Sequence, residues 1–321
     1  MNKTFGITPR GDSICQPPSA LEFTLDRLFR TLSRLGVFLI LAVIVVLVFE
    51  IGAKALPGIR QYGWSFLGST VWDPNQKIYG ILPAIWGTLY SSLLALLIGG
   101  FFGVMMAIFL TQDFLPARLA AIFRTIVELL AAIPSVVYGL WGIFIVIPAI
   151  RPLAEWLHEA LGWLPFFSSS LAGPGMLPAA LVLAIMILPT IAAVSQDALR
   201  AVPIKTKQAA YGMGTTHWEA ILKVMVPSAA TGIFGALVLG LGRALGETMA
   251  LAMLVGNSNQ ISLSLFSPAN TLAAVLALNF PEAGPTEVEM LMYAALVLML
   301  ITLIVNVLGS LIMLMSKREG Q

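Results

Sequence analysis

Two stretches of this sequence, Ile78–Gln112 and Ala160–Gln196, run without a single Asp, Glu, Lys or Arg. A helix needs about 20 predominantly apolar residues to cross the hydrocarbon of a bilayer, so each stretch is long enough for one span and a polar approach. Only 11% of the residues are charged and 58% are hydrophobic, against roughly 25% charged in an ordinary soluble domain. A surface of that composition cannot face water alone. Lipid is the solvent for much of the chain, which excludes a cytosolic globular enzyme.

The uncharged stretches lay out an all-α polytopic membrane protein with six spans. Residues 1–34 form a cytoplasmic tail, in which Leu21, Leu25, Leu28, Phe29 and Leu32 fall at helical spacing opposite Asp26, Arg27, Arg30 and Arg34. This reads either as an amphipathic helix on the inner leaflet or as a plain extension of the first span. The first span occupies 35–56 and requires Arg34 and Lys54 to snorkel to opposite interfaces. An outer loop follows at 57–81. A five-helix core at 82–315 has helices near 82–111 and 178–199, one over 119–150, a long one from Val224 to Gly256, and one at 290–316. Its main cytoplasmic loop is 200–228, and 316–321 is a second cytoplasmic tail. The N-terminal segment is too long and acidic for a cleaved signal peptide.

Basic residues collect on the cytoplasmic side of short loops. With both termini inside, the inner segments hold Lys3, Arg10, Arg27, Arg30, Arg34, Arg118, Arg124, Arg200, Lys205, Lys207, Lys223, Lys317 and Arg318. The outer ones hold only Lys54, Arg60, Lys77 and Arg151, and Arg243 is left inside the membrane.

Several chemistries are excluded. A net charge of +2 does not suggest nucleic acid. The lone Cys15 forms no intrachain disulfide, and His158 and His217 show no metal-ligand spacing. No Gly-x4-Gly-Lys-Ser/Thr is present, so the chain has no P-loop of its own. Gly240, Gly242 and Gly246 superficially match a dinucleotide fingerprint, but in a membrane helix. Movement of a substrate fits better than chemistry on one.

Within the loop 200–228, Gln208, Ala209 and Ala210 start a short helix, Gly214 permits a tight turn, and Thr216 caps a second helix with Glu219 three residues on. Pro227 restarts the chain at the next span. Small residues on an exposed helix suit close approach by another protein, although a plain connector is equally compatible. The spacing Gln-Ala-Ala-x3-Gly-x9-Val-x-Val-Pro, from Gln208 to Pro227, resembles the Glu-Ala-Ala-x3-Gly-x9-Ile-x-Leu-Pro loop of ABC-importer permeases. In that family the short helix docks on the ATPase, and Gln208 departs from the usual Glu. The runs Glu128–Gly142, Leu183–Ala193 and Leu239–Ala250 closely resemble PstC-type permeases of high-affinity phosphate importers, with a likeness from about Trp64 to the C-terminus.

Arg243 and Glu247, at i and i+4 in the middle of one long helix, are expected to project from one face and to pair. A charge at that depth costs on the order of 2.5–3.5 kcal/mol on insertion scales, so it must face protein or water. Gly242 and Gly246 give a Gly-x3-Gly spacing for close approach of a neighbouring helix. The pair either fixes packing or works on substrate, Arg243 offering its planar donor fork to phosphate oxygens while Glu247 orients it. The resemblance implicates the pair in phosphate passage, and Thr248, Glu128 and Ser135 are assigned to the same path. Arg124 and Glu128 repeat the i, i+4 spacing nearer the inner interface, where a salt bridge is expected. Pro134 should kink or break its helix, with Ser135 and Tyr138 either answering the freed carbonyls or lining the path.

The resemblance implies a type I ABC-importer permease fold in a bacterial inner membrane. It implies a PstA-like second permease, an ABC ATPase dimer that uses ATP and Mg, and an external phosphate-binding protein, with no cofactor in this chain. A permease for another oxyanion and a secondary transporter or channel are the competing readings. Ion coupling would ask for more intramembrane acids than Glu128 and Glu247 supply.

Overall fold

The computed structural model describes residues 20–112 and 114–319. Cys15, Lys3, Arg10 and the rest of the segment before Ala20, and the side chains of Lys317 and Arg318, lie outside the described residues. Helix α1 is Ala20–Tyr62. It is followed by α2 (Leu82–Thr111) and α3 (Ala117–Ala132), then α4 (Ser135–Leu161) and α5 (Met176–Arg200). Next come α6 (Ile204–Gly212), α7 (His217–Ser228) and α8 (Ala230–Leu245). The chain closes with α9 (Met249–Leu254), α10 (Leu272–Asn279) and α11 (Pro285–Glu319). Among the described residues, five helices are long and apolar enough to cross a membrane, or six when α7 and α8, bent by 68° at their junction, are counted as one span.

Two compact units divide at Ala53 and Lys54. In the first, the helix begun at Ala20 is continuous through Arg34, so the basic segment extends the first span and is no separate interfacial helix. The large apolar side chains from Leu35 to Phe49 are exposed, as lipid-facing residues are. Helix α1 also runs on to Tyr62, so the outer connection starts later than 57.

In the second unit, α2 and α5 form the centre. Gly99 and Gly103 of α2 let the helices touch, since a Cβ on Gly99 would lie 2.6 Å from the Ala184 carbonyl oxygen and one on Gly103 3.0 Å from Ile191. Lipid tails are as apolar as Leu, so contact of this kind holds membrane helices together. On the other side of Ile191 sits Gly240 of α8. The bounds of α2 and α5 match the helices expected near 82–111 and 178–199 within two residues.

Three expectations are corrected. The third span starts at Ser135, not 119. Ile133 and Pro134 are extended (ψ 128° and 142°), so α3 is a separate helix and the span runs on through Arg151 to Leu161. Pro134 removes the donor that would have bonded to Leu130, and the Tyr138 hydroxyl, 2.8 Å from the Leu130 oxygen, answers that freed carbonyl. Tyr138→Phe is expected to lower the stability of the assembled permease by about 1 kcal/mol, read as a lower apparent Tm in detergent.

The helix expected from Val224 to Gly256 is broken twice, at Ala229 and at Gly246–Thr248. Finally, α10 occupies a segment expected to be loop. The irregular chain before it is buried against protein, with Gly175 N–H donating to Leu254, Ala269 to Val255 and Leu177 to Leu265, the condition under which non-helical backbone survives at such depth.

Candidate functional site

Arg243 lies in the last turn of α8 and is exposed on this chain. Its Nη1 donates to Thr190 Oγ1 of α5 at 2.9 Å. Glu247 sits in the break beyond Gly246, and its Oε1 accepts from the Ala250 N–H at 3.4 Å, over the first turn of α9. No ion pair joins Arg243 to Glu247 within 4.0 Å among the described residues, so the expected intrahelical pair is absent. Helical i, i+4 contact needs an unbroken helix, and this one ends at Leu245. Glu247 and Thr248 bond locally instead, Thr248 Oγ1 donating to the Gly246 carbonyl at 3.2 Å, as short polar side chains beside a helix end do. The Gly-x3-Gly expectation holds for one residue only: Gly242 meets Asn306 of α11, whereas Gly246 faces carbonyls of its own helix.

Arg124 and Glu128 are likewise unpaired within 4.0 Å among the described residues, contrary to the expected salt bridge. They open from α3 into a cavity of about 190 Å³ whose other wall is α5, from Pro189 through Ala193, Gln196 and Asp197 to Arg200. Ser135 starts α4 and is half-buried, with no contribution to that cavity. The structure therefore sets Arg243 with Thr190, and Arg124 and Glu128 with Asp197 and Arg200. It leaves Glu247 and Thr248 at the break and Ser135 apart. Arg200 and Asp197 were missed because each reads as an ordinary loop-end charge; their shared i, i+3 face with Gln196 and Pro189 is the signal that marks them.

Beyond the Arg200 end of α5, Gln208, Ala209 and Ala210 lie in the second half of α6, not at its start; Gln208 and Ala209 are exposed, and Ala210 is buried. Gly214 has φ +82°, in the left-handed region where a β-carbon is costly. Thr216 caps α7 in a capping box with Glu219. The Thr216 backbone N–H, the Lys223 ammonium and the Thr216 hydroxyl hold the Glu219 carboxyl at about 2. The cap's contribution is thus complete above the ordinary carboxylate range and is lost as pH falls through about 2. His217 escaped the sequence reading. Its Nε2 donates to the Gln112 carbonyl at 3.0 Å, and the Tyr211 hydroxyl lies 2.8 Å from its Nδ1, which ties α6 to the end of α2 through one ring.

Residues 99–318 match the model of the family described as binding-protein-dependent transport system inner membrane component. A phosphate transport system permease protein PstC of Pasteurella multocida is 42% identical over 92% of this chain and 94% of its own length. The corresponding protein of Haemophilus influenzae is 40% identical over 92% and 96%. Among solved structures, a bacterial ABC transporter involved in the import of the acidic polysaccharide alginate superposes with a TM-score of 0.60, covering 91% of this chain and 99% of that one at 17% identity. The MetNI methionine ABC transporter in inward-facing form gives 0.54 over 77% and 99%, at 18% identity. At those identities the structural likeness speaks to fold alone, and that fold is the type I importer permease.

Proposed function

The chain belongs to the family of binding-protein-dependent transport system inner membrane components, in the branch of the phosphate permeases, and from that premise we propose how its residues carry phosphate. It is a membrane-spanning subunit of a phosphate importer. It works beside a PstA-like second permease, on an ABC ATPase dimer that supplies ATP and Mg chemistry, and under an external phosphate-binding protein. Both termini lie in the cytoplasm of a bacterial cell.

The observation that carries this reading is the exposure of Arg243 at the end of a membrane helix. A guanidinium open to hydrocarbon is costly, so this face of α8 borders protein and a watered path, as at a seam with a second permease. Thr190 fixes one Nη, and the remaining donors of the fork stay available to phosphate oxygens. Glu247, held over α9 by its bond to Ala250, keeps a negative charge at the same level and prevents a deep anion trap; Thr248 adds a hydroxyl there. Conduction needs attraction weak enough to release. In the assembled importer, labelled phosphate uptake should be displaced by unlabelled phosphate and not by sulfate or molybdate; equal displacement by all three would make this a general oxyanion permease.

Coupling to the ATPase runs through α6, with exposed Gln208 and Ala209, buried Ala210, and the Gly214 turn. Val at Gly214 must take a conformation that costs L-residues roughly 1–2 kcal/mol or more. Gly214→Val is expected to insert normally and to lose ATPase association or binding-protein-stimulated ATP hydrolysis. Normal co-purification and normal uptake would make 200–228 a mere connector.

A further inference from the structure

We propose that the cavity between α3 and α5 is a second anion station, which takes phosphate after Arg243 and selects it by its proton before release to the cytoplasm. The inference rests on the phosphate-permease reading and adds a site to it. Thr190, the partner of Arg243, is next to Pro189 in the cavity wall, and the wall then descends α5 to Arg200. Ten residues of α-helix rise roughly 15 Å, so the cavity leads from the Arg243 level to the end of α5 at the cytoplasmic loop.

Its chemistry is unsatisfied as it stands. Arg124 Nε is buried and has no hydrogen-bond partner among the described residues. Among the described residues, Arg200 reaches only the Gln196 side-chain oxygen, at 3.4 Å. Neither guanidinium is within 4.0 Å of Glu128 or Asp197, although all four line one cavity. A buried donor without an acceptor is costly and rare, and an oxyanion with several acceptor oxygens supplies what the Arg124 Nε lacks, with the exposed Arg200 lining the same cavity to share it. The two carboxylates would repel a fully ionised anion. Phosphate at neutral pH keeps an O–H, which Glu128 or Asp197 can accept, whereas sulfate has none. Two arginines and two carboxylates therefore make a site that is attractive to phosphate, discriminating against sulfate, and weak enough to empty.

The test uses the full importer in proteoliposomes, with Cys15→Ser and Ala193→Cys in this chain and no reactive cysteine in the other subunits. Ala193 is exposed in the cavity wall, and its alkylation by a charged thiol reagent on the cytoplasmic side is timed with inorganic phosphate or sulfate present. Phosphate should slow alkylation and sulfate should not. Adding Arg124→Gln with Arg200→Gln should abolish that protection and lower uptake about 10-fold, with binding-protein-stimulated ATP hydrolysis retained as proof of assembly. Glu128→Gln with Asp197→Asn should let sulfate protect as well. Equal alkylation with and without phosphate in a complex that still imports it overturns the station alone, as does protection that survives loss of both arginines. A complex that imports no phosphate at all overturns the underlying reading instead.

Discussion

Importer carrying Arg243→Gln assembles and loses phosphate uptake roughly 10- to 100-fold, the equivalent of one charge-assisted hydrogen bond of about 1.5–3 kcal/mol. Assembly survives because removing the charge relieves an insertion cost and leaves Thr190 a neutral partner. Glu247→Gln retains the Ala250 contact through its amide oxygen and loses only the charge, so phosphate should leave the path more slowly and uptake should fall with stimulated hydrolysis retained. The double change is the informative one. Were the two residues a structural ion pair, removing both charges would restore uptake. They have separate partners on α5 and α9, so the double variant should stay as deficient as Arg243→Gln. Labelled-phosphate uptake with co-purification of all subunits reads both quantities, and full uptake by the double variant would remove Arg243 from the path.

Gly87→Ala is expected to be the most damaging glycine-to-alanine change among the described residues. Its Cβ would overlap the Asn270 carbonyl oxygen, which is backbone and cannot rotate away. Asn270 is itself anchored, its Nδ2 donating to Asn257 Oδ1 at 2.9 Å and Asn259 Oδ1 at 3.1 Å. The next residues are fixed too: Leu272 N–H donates to Thr88 Oγ1 at 2.9 Å, and Thr271 caps α10. Moving the segment breaks these bonds, so a loss of roughly 2–4 kcal/mol follows, visible as poor yield and a much lower apparent Tm in detergent. Gly36→Ala, with nothing within 4 Å of its Cβ, is the matched control and should be neutral or slightly stabilising. Equal behaviour of the two variants would contradict the packing described for α2 and α10.

The helices that were legible in the sequence are those whose charges fall at their ends. Lys77 before α2 and Arg200 at the end of α5 bracket apolar runs, and the Gly214 turn and the Thr216 cap follow from residue types whose local bonds decide their conformation. Where charge and helix end do not coincide, the reading failed. Arg151 and Glu155 lie within α4 and made its outer half look like loop, while apolar residues on α3 made that separate helix look like the start of a span. The break at Gly246–Thr248 is a contest between helix propensity and local polar bonding that no single residue announces. The cavity of Arg124, Glu128, Asp197 and Arg200 requires knowing that α3 lies against α5, which only the tertiary packing supplies.

The most direct measurement of the central claim is labelled-phosphate uptake into liposomes holding either this chain alone or this chain with its second permease and ATPase. The complete assembly should accumulate phosphate only with ATP on the ATPase side and binding protein on the other, and the lone chain should accumulate none under any ion gradient. Uptake by the lone chain driven by a proton or sodium gradient would contradict the ABC-permease account.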